Sequence, residues 1–234
     1  MPVFRLTTSL IFPDPSLAEP SGLLAVGGDL SVARLRLAYA RGIFPWFDDD
    51  QPLLWWSPDP RAVLFTDELR VQRSLAKRVR RGDYRITLDA AFSEVVRACA
   101  GAPRPGQDGT WITEDMVAAY EALHAAGDAH SCEAWDGDRL VGGLYGVATG
   151  RVFCGESMFA RASDASKVAF VHLASQLRRW GFPLIDCQQH TAHLARFGAR
   201  EVSRQAFLST LRAAGTQDVV PAPWRFDEGF APDV

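Results

Sequence analysis

The chain reads as a mixed α+β protein with a small, compositionally distinct N-terminal unit. Three observations predict this. From about residue 113 the apolar pattern runs helix, three strands, helix, strand, helix, with the period switching between helical and alternating. Asp136-Gly137-Asp138 and Thr149-Gly150 supply hairpin turns, so the three consecutive strands are antiparallel. The first 62 residues instead crowd aromatic residues, prolines and glycines together. The expected division is residues 1–62 and 63–234, with a boundary that could fall as late as about 105, in the proline–glycine stretch Ala102 to Gly109.

The 234 residues are enough for one large domain or two small ones. A hydrophobic content of 47% with 23% charged residues fits an ordinary soluble globular protein. No apolar run approaches the roughly 18 residues of a membrane span. Met1 to Leu10 lacks the basic start and apolar stretch of a signal peptide, so a cytoplasmic protein is expected. Cys99, Cys132, Cys154 and Cys187 form no C-x-x-C pair and read as reduced thiols, mostly buried.

Taken in order, residues 1–30 read as loop. Ser31 is placed to cap a helix through Tyr39 that ends at Gly42. Ala62 to Thr66 reads as a strand, Val71 to Arg81 as a basic helix, Arg85 to Leu88 as a strand and Ala90 to Ala100 as a helix. Thr113 caps a helix to about Ala126, with Glu114 and Asp115 in its favourable first turn. Strands follow over Ser131–Trp135, Leu140–Ala148 and Val152–Phe159, then a helix from Ala165 to Trp180 and a strand over Leu184–Gln188. Thr191–Phe197 and Gln205–Ala214 close as helices. This order matches a mixed α+β core of the acyltransferase type, an order that unrelated folds can share.

Candidate chemistry sits on the apolar strands. Asp186 and Gln188, two residues apart, share one strand face, where a buried carboxylate and amide would need partners or work. They either aim into a cleft or mark a strand end emerging into solvent. Glu156 stands among Phe153, Cys154, Met158 and Phe159, and is either paired or working. Simple alternation puts Glu156 and Met158 on one face. His190 and His193 could share a helical face, but no third ligand or H-E-x-x-H pattern supports a metal. His124, His130 and His172 read as structural.

The net charge of -3 argues against general nucleic-acid affinity. Arg73, Lys77, Arg78, Arg80 and Arg81 nevertheless fall within nine residues, with no acid between Arg70 and Arg81. That is either a solvated helix face or an electrostatic footprint for phosphates. The segment from Gly42 to Phe47, followed by Leu54 to Arg61, carries Trp46, Trp55 and Trp56 beside Pro45, Pro58 and Pro60. It is either a small aromatic core or one wall of a pocket.

Together these segments resemble the leucyl/phenylalanyl-tRNA–protein transferases. The stretches that carry the resemblance are Gly22–Leu30, Arg41–Phe47, Leu54–Arg61, Gly109–Thr113, Leu140–Val147, Phe153–Phe159 and Leu184–Gln188. The resemblance implies transfer of Leu or Phe (Met less well) from aminoacyl-tRNA to the α-amino group of proteins beginning with Arg or Lys. Such products are marked for N-end rule degradation. It implies a C-terminal domain of the acyl-CoA N-acyltransferase type, no metal and no coenzyme A, in a protein expected to be a monomer. Ordinary members of that fold carry a glycine-rich pyrophosphate loop. Here the stretch is Arg161-Ala162-Ser163-Asp164-Ala165-Ser166-Lys167, without a glycine.

By resemblance, Asp186, Gln188 and Glu156 are the catalytic residues, the first two helping the α-amine lose its proton. Trp46 and Trp111 flank the aminoacyl-adenosine. Phe153, Met158 and Leu144 are expected to wall the side-chain pocket, with Ser157 among the substrate-binding residues. Relatives can place aromatic residues on the long helix at positions that are Leu173 and Leu177 here. The basic cluster from Arg73 to Arg81 matches a tRNA-binding region. Trp55 and Trp56 are expected to pack the seam behind Trp46. A coenzyme-A-dependent N-acetyltransferase and a non-catalytic RNA-binding protein are the competing readings.

Overall fold

A computed structural model describes residues 3–102 and 111–234. The proline–glycine segment offered as a late boundary lies, from residue 103 on, outside the described residues, as do Gly109 and Thr110.

The chain builds two mixed sheets and seven helices among the described residues. The first sheet takes β1 (Phe4–Leu6), β2 (Leu23–Gly27), β3 (Phe44–Pro45) and β4 (Leu54–Trp56), in the order β1-β2-β4-β3. Helix α1 (Val32–Ala40) lies between its strands in sequence, capped by Ser31, whose hydroxyl accepts from the Arg34 amide. The second sheet has seven strands: β5 (Arg61–Phe65), β6 (Arg85–Leu88), β7 (Ala129–Asp136), β8 (Arg139–Thr149), β9 (Val152–Ala160), β10 (Leu184–Gln188) and β11 (Arg200–Val202). Their order is β11-β5-β10-β9-β8-β7-β6, antiparallel except where β9 and β10 run parallel.

The remaining helices are α2 (Arg73–Arg81), α3 (Phe92–Ala100), α4 (Glu114–Ala125), α5 (Ala165–Arg179), α6 (Ala192–Ala195) and α7 (Arg204–Gly215). The seven-stranded sheet parts two hydrophobic cores. On one face lie α1, α3, α4, α7 and the first sheet, with Leu35, Trp55, Val95, Tyr120 and Phe207 buried together. On the other, α2 and α5 pack through Leu75, Val79, Phe170, Leu173 and Leu177, and Trp224 of the C-terminal tail closes the layer. Residues 4–56 pack directly on the first of these faces. Their apolar side shares a continuous core with the larger sheet.

Residues 1–30 are not loop throughout: β1 and β2 pair parallel, from Phe4 opposite Ala25 to Leu6 opposite Gly27. The later segments form as the sequence indicates, each within a few residues of its expected span. The histidines read as structural are so engaged. His124 and His172 bond backbone carbonyls, and buried His130 bonds Asp89. All four cysteines are free thiols, three of them buried.

Two departures from regular pairing position the site. First, β9 and β10 pair only from Leu184 opposite Val152 to Asp186 opposite Cys154. Beyond that point the strands part, and a cleft opens between them. Second, β9 carries a bulge. Tyr145 faces Ser157 but the next residue, Gly146, faces Gly155, so Glu156 is the extra residue. A Cβ at position 146 would collide with the Cys154 carbonyl, so the bulge needs glycine there. The bulge reverses the parity of the strand. Phe153 and Met158 both face the α5 side, while Cys154 and Phe159 face the other. The expectation that Glu156 and Met158 share a face is corrected accordingly, because alternation fails across a bulge.

Candidate active site

The parting of β9 from β10 opens a cleft of about 890 Å³. Asp186, Gln188, Glu156, Trp46, Trp111, Leu144, Phe153, Ser157 and Met158 all line it. Its apolar wall is built from Leu144 directly opposite Met158 on β8 and β9, with Phe153 and Ile185 from the next strand pair. The long helix contributes Phe170 to this wall, whereas Leu173 and Leu177 stay buried in the core one and two turns on.

Trp46 stands where the first sheet meets the cleft. Trp56 donates from its indole nitrogen to the Trp46 carbonyl at 2.7 Å, and the two rings lie 5.7 Å apart. Trp55, fully buried, donates to the Gly27 carbonyl and takes Phe12 on its edge. Trp56 thus holds the Trp46 backbone directly, while Trp55 ties the same strand to the end of β2.

Two carboxylates meet at the cleft floor. Glu156 accepts from the hydroxyls of Tyr39 (2.8 Å, on Oε1) and Tyr120 (2.7 Å, on Oε2). Gln188 donates its amide nitrogen to the same Oε1 at 2.8 Å, across the gap between the strands. Gln188 can reach because it sits at φ 61°, a left-handed turn after the irregular end of β10. The two tyrosine oxygens are themselves 2.9 Å apart.

That triangle has three contacts. With Glu156 ionised, two tyrosine hydrogens serve them; with Glu156 protonated, three do, and every contact is satisfied. Burial pushes the Glu156 carboxyl up from an ordinary value near 4.5 to about 7. The tyrosine and Gln188 hydrogen bonds pull it down and the Asp186 charge adds to the rise. Both tyrosine hydroxyls are driven well above their usual range, first by burial and then by Glu156, so neither ionises in its place.

Asp186 is treated differently. Arg61 grips it in a two-pronged bond, Nε to Oδ1 at 2.8 Å and Nη2 to Oδ2 at 2.7 Å. Both side chains are almost wholly buried. The guanidinium lies between the rings of Phe44 and Phe207, each 4.7 Å away. Asp186 Oδ1 also accepts from the Gln188 backbone amide at 2.9 Å. This bond fixes the turn that aims the Gln188 side chain at Glu156.

Sequence reasoning singled out neither Arg61, Tyr39 nor Tyr120. An arginine opening the apolar strand Arg61–Phe65 was a usable signal for a buried ion pair. Tyr39 and Tyr120, each at an apolar helical position, carried none.

The stretch of residues 161–167, where ordinary members of the acyl-CoA N-acyltransferase fold carry a glycine-rich loop, is folded back on β8. The amides of Arg161 and Ala162 both donate to the Val141 carbonyl, at 2.7 and 3.2 Å. Gly142 lets the first turn of α5 press onto β8: a Cβ there would lie 2.6 Å from that of Ala165. Asp164 occupies the turn and pairs with Lys167 and Arg78. Among the described residues, no group of three or more His, Cys, Asp or Glu is placed to hold a metal ion.

The basic helix α2 packs on α5, with Leu75, Ala76 and Val79 inward. Its five cations divide. Arg78 is tied to Asp83 and Asp164, and Arg81 to Asp83. Arg73, Lys77 and Arg80 are exposed and make no ion pair among the described residues.

A family model described as leucyl/phenylalanyl-tRNA protein transferase matches residues 63–212, and one described as the N-terminal domain of that transferase matches residues 28–59. The leucyl/phenylalanyl-tRNA–protein transferase of Anaeromyxobacter sp. (strain Fw109-5) is 58% identical over 232 residues, covering 99% of each chain. That of Oleidesulfovibrio alaskensis is 55% identical, covering 99% of this chain and 96% of its own. That of Nitrosospira multiformis is 57% identical, covering 95% and 96%.

Proposed function

The chain belongs to the leucyl/phenylalanyl-tRNA–protein transferase family, and on that premise we propose that it moves Leu or Phe, and Met less well, from aminoacyl-tRNA to the α-amino group of proteins beginning with Arg or Lys. The product would be marked for N-end rule degradation. We read residues 1–62 as a small N-terminal domain and residues 63–234 as a catalytic domain of the acyl-CoA N-acyltransferase type, working as a cytoplasmic monomer without metal or coenzyme A.

The observation that carries this reading is Glu156, a carboxyl with a pKa of about 7 at the floor of an apolar cleft. The ester of aminoacyl-tRNA is already activated, so the reaction needs no nucleotide hydrolysis. It needs a neutral amine, a held carbonyl and a protonated leaving oxygen. An N-terminal amine has an ordinary pKa of about 7.7–8.0 and arrives largely protonated. Glu156 takes that proton, and the new hydrogen completes the triangle with Tyr39 and Tyr120. The amine nitrogen then bonds the ester carbonyl carbon, the bond to the terminal ribose oxygen breaks, and that oxygen leaves with the second proton of the amine. The products are a lengthened peptide and uncharged tRNA.

In this reading Asp186 is a positioning residue. Arg61 holds both its oxygens, and its bond to the Gln188 amide orients the side chain that touches Glu156. Trp46 and Trp111 flank the terminal adenosine, where a flat aromatic surface suits a base. Leu144, Phe153, Met158 and Phe170 accept the Leu or Phe side chain, with Ser157 on the rim. Arg73, Lys77 and Arg80 contact tRNA phosphates without reading sequence, and Arg78 and Arg81, neutralised by acids, contribute less.

The test mixes Leu-tRNA, the purified protein and a peptide beginning with Arg. Mass spectrometry should find one added Leu at the peptide's N-terminus. A peptide left unmodified overturns the reading.

A further inference from the structure

The C-terminal tail reaches a residue of the cleft wall. Trp224 is buried and stacks flat on His130, with ring centres 3.6 Å apart. It meets Trp180 edge-on at 5.1 Å and Phe182 at 5.9 Å. Its fourth ring neighbour, at 5.9 Å, is Phe153, which lines the cleft. The indole is held in place by more than packing. The Trp224 amide donates to Asp89 Oδ2 at 2.7 Å, the same oxygen that His130 bonds. Three residues on, Asp227 accepts from Gln176 and from the Trp180 indole, each at 2.9 Å, and its amide donates back to Gln176. Gln176 and Trp180 belong to α5 and its end, so the tail is tied along that helix.

Phe153 has little freedom of its own. Its backbone is paired on both sides, opposite Ala148 on β8 and Ile185 on β10. Its ring fills the room that glycine leaves at position 146: a Cβ there would lie 2.6 Å from the ring's Cζ. In an interior packed this closely, a side chain sits where its neighbours put it. Removing a large neighbour opens a cavity, and the surrounding side chains relax partway into it. Trp224 is the large neighbour of Phe153 that the tail supplies. An apolar pocket separates side chains by the volume it offers them, so a shift of one wall changes which side chain fits best.

We propose that Trp224 is a positioning residue that fixes the depth of the pocket for the transferred side chain, acting through Phe153. This rests on the aminoacyl-tRNA reading above and extends it from the cleft wall to the tail. Trp224 itself touches no substrate. With the indole cut back, Phe153 retreats, and the deeper pocket favours the larger Phe side chain over Leu.

The experiment measures steady-state transfer from Leu-tRNA and from Phe-tRNA to one peptide beginning with Arg. It compares the wild type, Trp224→Leu, Phe153→Leu and the double variant. In Trp224→Leu the ratio of kcat/KM for Phe over Leu should rise about fivefold, less than the roughly tenfold or more of a methylene lost from a direct contact. The change should fall in KM for the aminoacyl-tRNA, with KM for the peptide and the rate–pH profile unmoved. In the Phe153→Leu background, Trp224→Leu should leave the ratio where it is, because the residue it acts through is gone. An equal loss with both donors, as a merely structural role gives, overturns the proposal. So does a full shift in the absence of the Phe153 ring. Should Trp224→Leu fail to fold by circular dichroism, Trp224→Phe takes its place, with a shift of about twofold expected in the same direction and an unmoved ratio overturning the proposal. A wild type that uses both donors while the variants keep its ratio sinks the tail's role alone. A wild type that transfers from neither donor sinks the underlying reading.

Discussion

Glu156 and Asp186 are two buried carboxylates joined through one glutamine, and the protein handles them in opposite ways. Asp186 receives a guanidinium: two charge-assisted bonds and a full opposite charge. Glu156 receives only neutral donors, two hydroxyls and an amide. The guanidinium occupies both oxygens of Asp186 and ties them to β5. Neutral donors in a dry site leave the two forms near balance. On the proposed reading, Glu156 is the acid that moves the proton and Asp186 the one that holds its neighbours in place.

The sharpest way to break this contrast is to remove the cation. Arg61→Met should destabilise the fold by about 3–5 kcal/mol, because it strands a buried charge. Urea unfolding measures it, and adding Asp186→Asn should recover much of the loss. If the double variant is no more stable than the single one, the cost lies in lost packing against Phe44 and Phe207, and the pairing argument fails.

Removing the titrating acid should leave the fold standing and cost activity. For Glu156→Gln, kcat should drop about 10²-fold, at the low end of what a positioned acid–base group supplies. The pH dependence has a definite sign. The folded-state value of about 7 lies above the ordinary 4.5. The stabilising contribution of this group is thus fully present below about 4.5 and lost as pH rises through 7. Activity runs the other way, rising through about pH 7 as the carboxylate becomes able to accept a proton. Glu156→Gln should flatten both profiles. An unchanged acid limb in the rate profile would assign it to another group.

The smallest expected effect sharpens the comparison. Tyr120→Phe deletes one donor that favours the charged form of Glu156, so the acid limb should move to higher pH. A loss of about tenfold in kcat at pH 7 is expected for one hydrogen bond to a charged group. A limb that stays in place would mean the hydroxyl does not tune the carboxyl.

Much of the larger sheet was legible in the sequence. Its hairpins announced themselves through Asp-Gly and Thr-Gly turns, and α4 through Thr113 with two acids behind it. The first sheet was not. Its strands run two to five residues, too short to show alternation, one contains Pro45, and β1 pairs parallel with a strand well along the chain. For the cleft, polar residues on apolar strands pointed to Glu156, Asp186 and Gln188. The bulge that sets their directions leaves no mark in an alternation pattern. Arg61 and Tyr39 find their partners 125 and 117 residues away, and a local pattern carries no information about such distant contacts.

The bond from Tyr39 has a consequence for how the molecule is made. Tyr39 belongs to α1, Tyr120 to α4, and Glu156 to the central sheet, so the triangle closes only after three separately formed pieces have docked. A chain caught midway through folding holds Glu156 without its two hydroxyls, and the cleft without the tryptophan wall that the first sheet supplies. On the proposed reading, such a chain would not act on aminoacyl-tRNA. On that reading, completion of the fold and the onset of activity would be one event, and a half-made molecule would not squander charged tRNA.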